Sequence, residues 1–227
     1  MELTRQLARI PLFQGLTPQH YDELAMILTD QEFERGATIF SEGDPGVGFY
    51  VIVSGLIRIY KLSPEGKEQI LHVFGPDEPF AEAAVFSGAR FPAHAQSLQK
   101  SRVFFFPRDA FTTLIQQSPS LAMNMMAALS HRLKKFASLI EALSLKEVPG
   151  RLAAHLLLLS EEKNGAAEIQ LQITKNHLAS LLGTIPETLS RIFTKMSKQG
   201  LIASAGSTVT ILDRRALEDL AEGENRL

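Results

Sequence analysis

A short run near the carboxyl end carries side chains that could read the edges of nucleic-acid bases. Glu187, Ser190 and Arg191 follow one another at spacings of three residues and one. Lys195 comes four residues later, so all four side chains lie on one face of a helix. Arginine can donate two parallel hydrogen bonds to O6 and N7 of guanine, and a carboxylate can accept one from N4 of cytosine. These residue types favour a double-stranded nucleic acid as partner.

The residues around this run have the pattern of two helices joined by a sharp turn. Thr174 can cap a first helix, and Gly183 can end it, because glycine adopts the left-handed conformation that such a turn needs. Thr184 then predicts a capping box that restarts the helix, with Pro186 in the first turn. The apolar positions of this second helix predict its inward face: Leu189, Ile192, Phe193 and Met196. The pattern predicts a helix-turn-helix.

Local charge supports a polyanion partner, although the whole chain has a net charge of -2. From residue 170 to residue 202 there are four basic side chains and one acidic one, a net charge of +3. Lys175, Lys195 and Lys198 suit phosphates, which position a protein on DNA without reading its sequence. A hairpin that turns at Gly206 predicts a β-wing behind the helices. Two alternatives stay open: Glu187 could only cap its helix, and the basic residues could form a solvated surface.

Composition limits the classes of protein to which the chain can belong. Its 227 residues are about 1.5 times the roughly 150-residue prior for one domain, which suggests two modest domains or one large one. The absence of cysteine excludes disulfides, thiolate catalysis, cysteine-ligated zinc and cysteine-held iron-sulfur clusters. No apolar run approaches the ~20 residues of a membrane span, and residues 1–13 do not resemble a signal peptide. We therefore expect a cytoplasmic protein without a membrane partner.

The first half of the chain is expected to form an antiparallel β-roll. Eleven of the 14 phenylalanines lie between Phe33 and Phe111, and eight of the 15 glycines lie between Gly36 and Gly88. This composition is typical of short strands joined by tight turns. The β-branched and aromatic stretch of residues 49–60 is interrupted by Gly55, where a turn or bulge would fall.

A long helix is expected to follow the β-roll. Residues 120–148 contain neither glycine nor proline, and Ser118 can cap the helix with Pro119 at its first position. Apolar residues at alternating spacings of three and four predict a coiled-coil seam between two copies of the chain. That seam comprises Met126, Leu129, Leu133, Phe136, Ile140 and Leu143. The alternative is a helix laid across the β-roll, but a helix of this length would extend beyond a small roll.

Several of these stretches together resemble the Crp/Fnr superfamily of bacterial transcription regulators over nearly the whole chain. They are residues 53–60 around Gly55, Ser63-Pro64-Glu65-Gly66-Lys67-Glu68, Phe80-Ala81-Glu82, Leu129-Ser130-His131-Arg132-Leu133 and Glu187-Thr188-Leu189-Ser190-Arg191. The resemblance implies an α+β fold with a cyclic-nucleotide-binding-like β-roll in residues 1–117. A dimerisation helix and hinge in residues 118–146 and a winged helix-turn-helix in residues 147–227 would complete it.

The resemblance also implies a function: a non-enzymatic homodimer that binds double-stranded DNA, with RNA polymerase as a further partner. Glu-x-x-Ser-Arg is similar to the recognition motif of the Fnr-like branch, whose half-sites resemble TTGA. In the cyclic-AMP-responsive branch an arginine precedes that glutamate, where this chain has Pro186. Three stretches are similar to the nitric-oxide-responsive Dnr-like and Hcp-regulator members: residues 63–66 (Ser-Pro-Glu-Gly), 80–83 (Phe-Ala-Glu-Ala) and 186–192 (Pro-Glu-Thr-Leu-Ser-Arg-Ile). The expected DNA-binding residues are Lys175, Glu187, Thr188, Ser190, Arg191, Lys195 and Lys198.

The effector is expected in a pocket of the β-roll near Phe80, Glu82, Ala83, Arg90 and His94. Compared with a cyclic-AMP pocket, alanines replace the glycines that allow close approach of the ligand. Arg90 is followed by Phe91 rather than serine, so cyclic AMP is not the expected ligand. Haem is one alternative, with His72, His94 and His131 as candidate axial ligands. No histidine stands at the ligand position of the carbon-monoxide-sensing relatives, where this chain has Ala83, and no metal site is predicted.

Two other classes compete with a DNA-binding regulator. In a small-molecule-binding protein or enzyme the carboxyl-terminal helices would only pack, yet the chain has no phosphate-binding glycine loop, paired-histidine metal motif or nucleophile elbow. A nucleotide-binding module that acts through protein contacts alone would leave Arg191 and Lys195 without a partner. We therefore expect a regulator in which the state of the sensor sets the relation between two recognition helices through a hinge at residues 144–150.

Overall fold

The structure is a computed structural model that describes residues 2–83, 90–161, 163–224 and 227. The chain divides into two compact units, residues 1–134 and residues 135–227. The first unit consists mainly of antiparallel strands and the second mainly of helices. The predicted α+β fold class is confirmed, including the β-roll and the winged helix-turn-helix.

Short helices precede the β-roll. Helix α1 spans Glu2–Arg9, a 3₁₀ helix spans Pro11–Phe13, and α2 spans Pro18–Ile27. The side chain of Thr17 caps α2, because its hydroxyl accepts a hydrogen bond from the backbone N–H of His20 at 3.3 Å.

Among the described residues, eight antiparallel strands form the β-roll. They are β1 (Thr29–Phe33), β2 (Thr38–Phe40), β3 (Gly48–Ser54), β4 (Ile57–Leu62), β5 (Glu68–Phe74), β6 (Pro79–Phe80), β7 (His94–Ser97) and β8 (Ser101–Pro107). One sheet has the order β1-β8-β3-β6 and the other the order β2-β7-β4-β5. The turn between β4 and β5 falls at Pro64-Glu65-Gly66, as the sequence predicts.

Strands β3 and β8 are apolar on both faces because they separate two hydrophobic cores. Phe49 and Val51 pack in a core with the helices, whereas Tyr50 and Ile52 pack in a core between the two sheets. Strand β8 alternates in the same way. This arrangement explains why residues 49–53 are an unbroken apolar run rather than an alternating one.

Gly55 joins β3 to β4 with a backbone conformation that other residues rarely adopt. Its φ angle is +102°, and a Cβ atom at this position would overlap the side chain and backbone of Ser101 at the start of β8. The predicted turn at Gly55 is confirmed, and its cause is both the positive φ and the close approach of β8.

Two helices follow the β-roll: α3 (Arg108–Gln117) and α4 (Pro119–Leu145). The long helix is confirmed, and it ends at Leu145, within the predicted helix and hinge of residues 118–146. Pro119 is the first residue of α4, as predicted, but the prediction that the side chain of Ser118 caps this helix is wrong. Ser118 is the C-cap of α3, and its buried hydroxyl has no hydrogen-bond partner among the described residues. Its main-chain oxygen accepts from the N–H of Leu121, so the two helices meet without a side-chain cap.

The second unit is built around a single core. After the last part of α4 it contains α5 (Val148–Glu161), β9 (Glu168–Gln170), α6 (Lys175–Leu181), α7 (Pro186–Lys198), β10 (Ile202–Ala205), β11 (Thr208–Ile211) and α8 (Arg214–Glu222). The predicted wing is confirmed as β10 and β11, and β9 extends it to three strands in the order β10-β11-β9. In the described ranges no helix is long and apolar enough to cross a membrane.

Candidate nucleic-acid interface and effector site

Helix α7 separates an apolar face from a polar one in the way that the sequence predicts. Leu189, Phe193 and Met196 are buried in the core of the second unit. Glu187, Ser190, Arg191, Lys195 and Lys198 lie on the polar side, where Glu187, Arg191 and Lys198 are exposed. The polar side of α7 is therefore free to contact a partner.

Helix α7 begins differently from the predicted capping box. Its N-cap is Ile185, which makes no side-chain capping hydrogen bond, and its first residue is Pro186. The prediction that Thr184 caps this helix is wrong, because proline fixes its own φ and keeps the preceding residue extended, which moves the N-cap to position 185. The backbone of Ile185 is extended, with φ -102° and ψ 154°. Glu187 therefore lies in the first turn, beside the positive end of the helix.

The turn before α7 has the predicted geometry. The hydroxyl of Thr174 caps α6 by accepting from the backbone N–H of His177 at 3.3 Å, and Gly183 follows that helix with φ +65°. The N–H of Thr184 donates to the carbonyl of Ala179 at 2.9 Å, which tightens the connection. The two helices and their turn thus form a compact helix-turn-helix in which α7 is the second helix.

Two polar side chains of α7 contact each other. Nη2 of Arg191 donates a hydrogen bond to Oγ1 of Thr188 at 3.1 Å. This bond restricts the guanidinium while its remaining donors stay available, because an arginine side chain has five N–H groups. Thr188 therefore helps to orient the residue that is expected to read guanine.

The three predicted phosphate-binding lysines have different surroundings. Lys195 and Lys198 lie in the last turn of α7. The ammonium of Lys175 lies over the ring of Phe193, 4.7 Å from the ring centroid, and so connects α6 to α7. Lys175 therefore has a packing contact that is not described for the other two lysines.

The wing offers hydroxyl and amide groups rather than charge. Residues 202–211 contain no charged side chain, and the turn at Gly206 has φ +61°. The side chain of Gln170 in β9 donates to Ser207 and accepts from Thr208 at 2.8 Å, so it braces the turn. Gln170 was not predicted from the sequence, because a three-residue strand leaves no periodic signal.

In the β-roll, the expected effector residue Glu82 is buried and paired. Its carboxylate forms an ion pair with the guanidinium of Arg132 from α4, and Glu82 is 1% exposed. Arg132 also donates to the main-chain oxygen of Pro79 at 2.5 Å, and its guanidinium lies 4.7 Å from the ring centroid of Phe74. The second carboxylate oxygen of Glu82 is buried without a hydrogen-bond partner among the described residues. In the sequence, Arg132 stood out only as part of a family motif.

The other expected effector residues have different surroundings. Phe80 is fully buried and stacks on Tyr50, with the ring centroids 5.0 Å apart. Ala83 and Arg90 are exposed, and Nη1 of Arg90 donates to the carbonyl of Gly43 at 2.7 Å. Residues 84–89, which the sequence places along the pocket, lie outside the described residues.

The three candidate haem ligands have different surroundings in the part of the chain that the structure describes. His94 stacks on Tyr60, its Nδ1 accepts from the backbone N–H of Glu42 at 3.2 Å, and its Nε2 lies 3.8 Å from the Glu42 carboxylate. His72 packs edge-on against Phe74, and His131 is exposed on α4. Within the described residues, no group of three or more histidine, aspartate or glutamate side chains could hold a metal.

The predicted seam along α4 is partly exposed in the single chain. Met126, Leu133 and Ile140 are 53%, 70% and 65% exposed, although they are large apolar side chains. Leu129, Phe136 and Leu143 are half-buried, and Leu129 packs against the core of the first unit. These exposed apolar residues therefore lie in the register of the seam.

The chain is similar to known proteins in both halves. The family model of the cyclic nucleotide-binding domain matches residues 30–118, and that of the Crp-like helix-turn-helix domain matches residues 150–220. Over 215 residues the chain is 31% identical to the CRP-like cAMP-activated global transcriptional regulator of Mycobacterium tuberculosis, covering 93% of this chain and 96% of that protein. It is 32% identical to the fumarate and nitrate reduction regulatory protein of Escherichia coli, covering 91% and 84%.

Solved structures give the same result for the fold. A mutant of CooA from Carboxydothermus hydrogenoformans is similar with a TM-score of 0.78 at 19% identity, over 95% of each chain. A transcriptional regulator of the CRP/FNR family from Thermus thermophilus is similar with a TM-score of 0.68 at 27% identity. That match covers 86% of this chain and 98% of the other.

Proposed function

The chain belongs to the Crp/Fnr family of transcription regulators, and we propose that it binds a palindromic promoter site as a homodimer under the control of a small effector. Its helix-turn-helix is the DNA-binding domain of the family. We propose a symmetric dimer, a specific half-site sequence, a contact with RNA polymerase and control by an effector.

The proposal rests mainly on the polar row of α7, which consists of Glu187, Ser190 and Arg191. Glu187, Ser190 and Arg191 lie near the start of a helix whose other face packs in the core. In a helix-turn-helix the second helix lies in the major groove, and its amino-terminal residues contact base edges. Arg191 would read guanine and Glu187 cytosine, while Lys195 and Lys198 would contact phosphates.

The order of residues on α7 supports an Fnr-like half-site. A TTGA arm contains one guanine and, on the opposite strand, one cytosine within the same base pair. Arg191 and Glu187 are one helical turn apart on the same face, so both could reach that base pair from one side of the groove. We propose arms of the TTGA type rather than those of the cyclic-AMP-responsive branch, because Pro186 stands where that branch has an arginine.

The exposed apolar residues of α4 support a dimer. Burying Met126, Leu133 and Ile140 against a second copy would remove large apolar side chains from water. A two-fold dimer would present two recognition helices to major grooves about 34 Å apart. The proposed site is palindromic because the dimer has two-fold symmetry.

Sensing is proposed to involve the pair of Glu82 and Arg132, because it connects the β-roll to α4 through a buried charge. A ligand acts only if it favours one arrangement of the protein over another. An effector that competes for Glu82 or for Arg132 would change how the seam helix is held.

The proposal is tested by binding of the purified protein to promoter fragments, with Glu187→Ala and Arg191→Ala as variants. We expect the wild type to sediment as a dimer and to protect a two-armed site in a footprint. Both variants should stay dimeric and lose preference at the base pair that they read. Unchanged sequence preference in both variants would refute the roles assigned to them. A monomer without salt-dependent retention on duplex DNA would favour an enzyme or metabolite-binding protein instead.

A further inference from the structure

Arg151 makes contacts across the junction between the long helix and the DNA-binding fold. It lies in the first turns of α5, and its Nη1 donates to the main-chain oxygen of Lys146 at 2.9 Å. The same nitrogen lies 3.3 Å from the main-chain oxygen of Leu143 in the last turn of α4. One guanidinium therefore reaches back from α5 to the end of α4.

These carbonyls are groups that a helix end leaves unsatisfied. The last four carbonyls of an α-helix have no partner within the helix, and a cation near them also interacts favourably with the negative end of the helix dipole. The helices are separated only by Lys146 and Glu147. Arg151 is thus a carboxyl-terminal cap that comes from the next helix rather than from the capped one.

Burial makes this contact difficult to replace with water. Desolvation lowers the pKa of Arg151, and its Nε is buried without a hydrogen-bond partner among the described residues. Because an unpaired buried donor is costly, the two bonds that Nη1 makes are needed to offset this burial. Separating the two helix ends would break the bonds that compensate for this burial.

The start of α5 is also held on its other side. A Cβ atom at Gly150 would lie 3.0 Å from the main-chain oxygen of Leu220 in α8, so the two helices approach closely there. Pro149 fixes its own φ angle in the first turn of α5. The elbow formed by residues 143–151 therefore has contacts to α4 through Arg151 and to α8 through Gly150.

We infer that Arg151 is a positioning residue that turns the elbow between α4 and α5 into a fixed joint. The second unit begins at residue 135 and so contains the seam residues Phe136, Ile140 and Leu143 together with α7. A fixed joint holds this end of the seam and the recognition helix as one body. In a dimer, that body sets the distance between the two recognition helices and hence the spacing of the half-sites. This inference rests on the proposed dimeric DNA binding, and the joint includes residues 144–150, where the sequence suggested a hinge.

The test measures how strictly the protein requires one spacing. Duplexes carry the two arms at the footprinted spacing or with one or two base pairs inserted or removed at the centre. Each inserted pair shifts an arm by about 3.4 Å and rotates it by about 35°. We expect wild type to bind the footprinted spacing at least about tenfold more tightly than the altered ones, because a rigid dimer cannot follow both changes.

Three variants test the role of Arg151, and one of them is a control at a second arginine. Arg151→Met should reduce the ratio of affinities between correct and altered spacing to about threefold or less, and Arg151→Lys, which keeps the charge but not the planar fork, should lie between. Arg215→Met removes an exposed arginine on α8 and should keep the wild-type ratio. Amide hydrogen exchange should accelerate at residues 142–150 in Arg151→Met only.

The outcomes separate this inference from the proposed function. If wild type shows no preference for the palindrome, the proposed function fails. If wild type prefers one spacing and both Arg151 variants keep the full ratio, the joint is refuted. If Arg151→Met does not fold, Arg151→Lys decides, and an unchanged ratio in that variant refutes the joint as well.

Discussion

The two charged regions of this protein use arginine and glutamate in opposite ways. On α7, Glu187 and Arg191 are exposed, and Arg191 bonds only to its neighbour Thr188 among the contacts described for it. In the β-roll, Glu82 and Arg132 are paired with each other in a buried place. The first region keeps its hydrogen-bonding capacity for a partner, whereas the second has used most of it within the chain.

The difference shows what a charged side chain contributes in each place. A buried pair is costly to break, because removal of one partner leaves the other charge desolvated. An exposed charge contributes little to stability and can be changed with little effect on folding. We therefore expect substitutions in the β-roll to lower stability, and substitutions on α7 to lower DNA binding at constant stability.

The largest effect is expected when the buried pair is broken. Arg132→Met leaves Glu82 uncompensated and should lower the free energy of unfolding by about 3–5 kcal/mol. Urea denaturation followed by circular dichroism measures this change. The double variant Glu82→Leu with Arg132→Met is the control and should recover most of the loss. A single variant as stable as wild type would remove the contrast between the two regions.

Substitution of the exposed Arg191 should lower DNA binding without lowering stability. Arg191→Ala should weaken binding to the footprinted site by about 1–3 kcal/mol for each half-site, because a bidentate contact to guanine is lost. The unfolding midpoint in urea should remain that of wild type. Binding is measured by fluorescence anisotropy with the cognate duplex and with a duplex altered at the guanine. A stability loss comparable with that of Arg132→Met would contradict the comparison.

His155 in α5 lies in the same unit as the exposed residues of α7, but it is half-buried. It therefore tests whether burial, rather than location in one unit, makes a titratable side chain important for stability. Burial lowers the pKa of His155 to about 4, below its ordinary value of 6.5. The unfolded chain then binds a proton at pH 5 that the folded chain does not, so the stability present above pH 6.5 is lost as the pH falls toward 4. The free energy of unfolding should be about 2 kcal/mol lower at pH 5 than at pH 7 from this group.

The control for His155 is His155→Phe, which cannot titrate. Its loss of stability between pH 7 and pH 5 should be smaller than that of wild type by the same amount. Equal pH profiles in the two proteins would show that His155 is already accessible to protons in the folded state.

The smallest effect concerns two lysines of the helix-turn-helix. Lys195→Met should reduce the slope of log K against log salt concentration by about one for each half-site, because a phosphate contact is lost. Lys175→Met should change the slope less and the melting temperature more, because its ammonium packs on Phe193. Equal slopes in the two variants would mean that the contact with Phe193 does not keep Lys175 from phosphate.

The sequence predicted correctly those features that depend on residues within a single helix or turn. The polar row on α7 follows from the helical period, because Leu189, Phe193 and Met196 must face the core and Glu187 and Arg191 then face away. The cap at Thr174 and the left-handed Gly183 are local preferences that tertiary contacts did not override.

The parts that the sequence did not predict depend on contacts between distant residues or on competing local rules. Glu82 and Arg132 are 50 residues apart and meet only because α4 passes the end of β6. Thr184 was expected to cap α7, yet the constraint from Pro186 on its predecessor moved the cap to Ile185. The contact of Arg151 with the end of α4 crosses an interhelical segment, where periodicity gives no information.

The close approach of Gly55 to β8 affects how a mutational survey of this protein should be interpreted. Any side chain at that position meets Ser101, and the positive φ adds a penalty of its own. Every replacement should therefore reduce the amount of folded regulator in the cell, and reporter output would fall at all promoters together. A position at which every substitution lowers reporter output would be interpreted as important for signalling. At Gly55, however, the constraint is steric. Measuring abundance beside output separates the two interpretations.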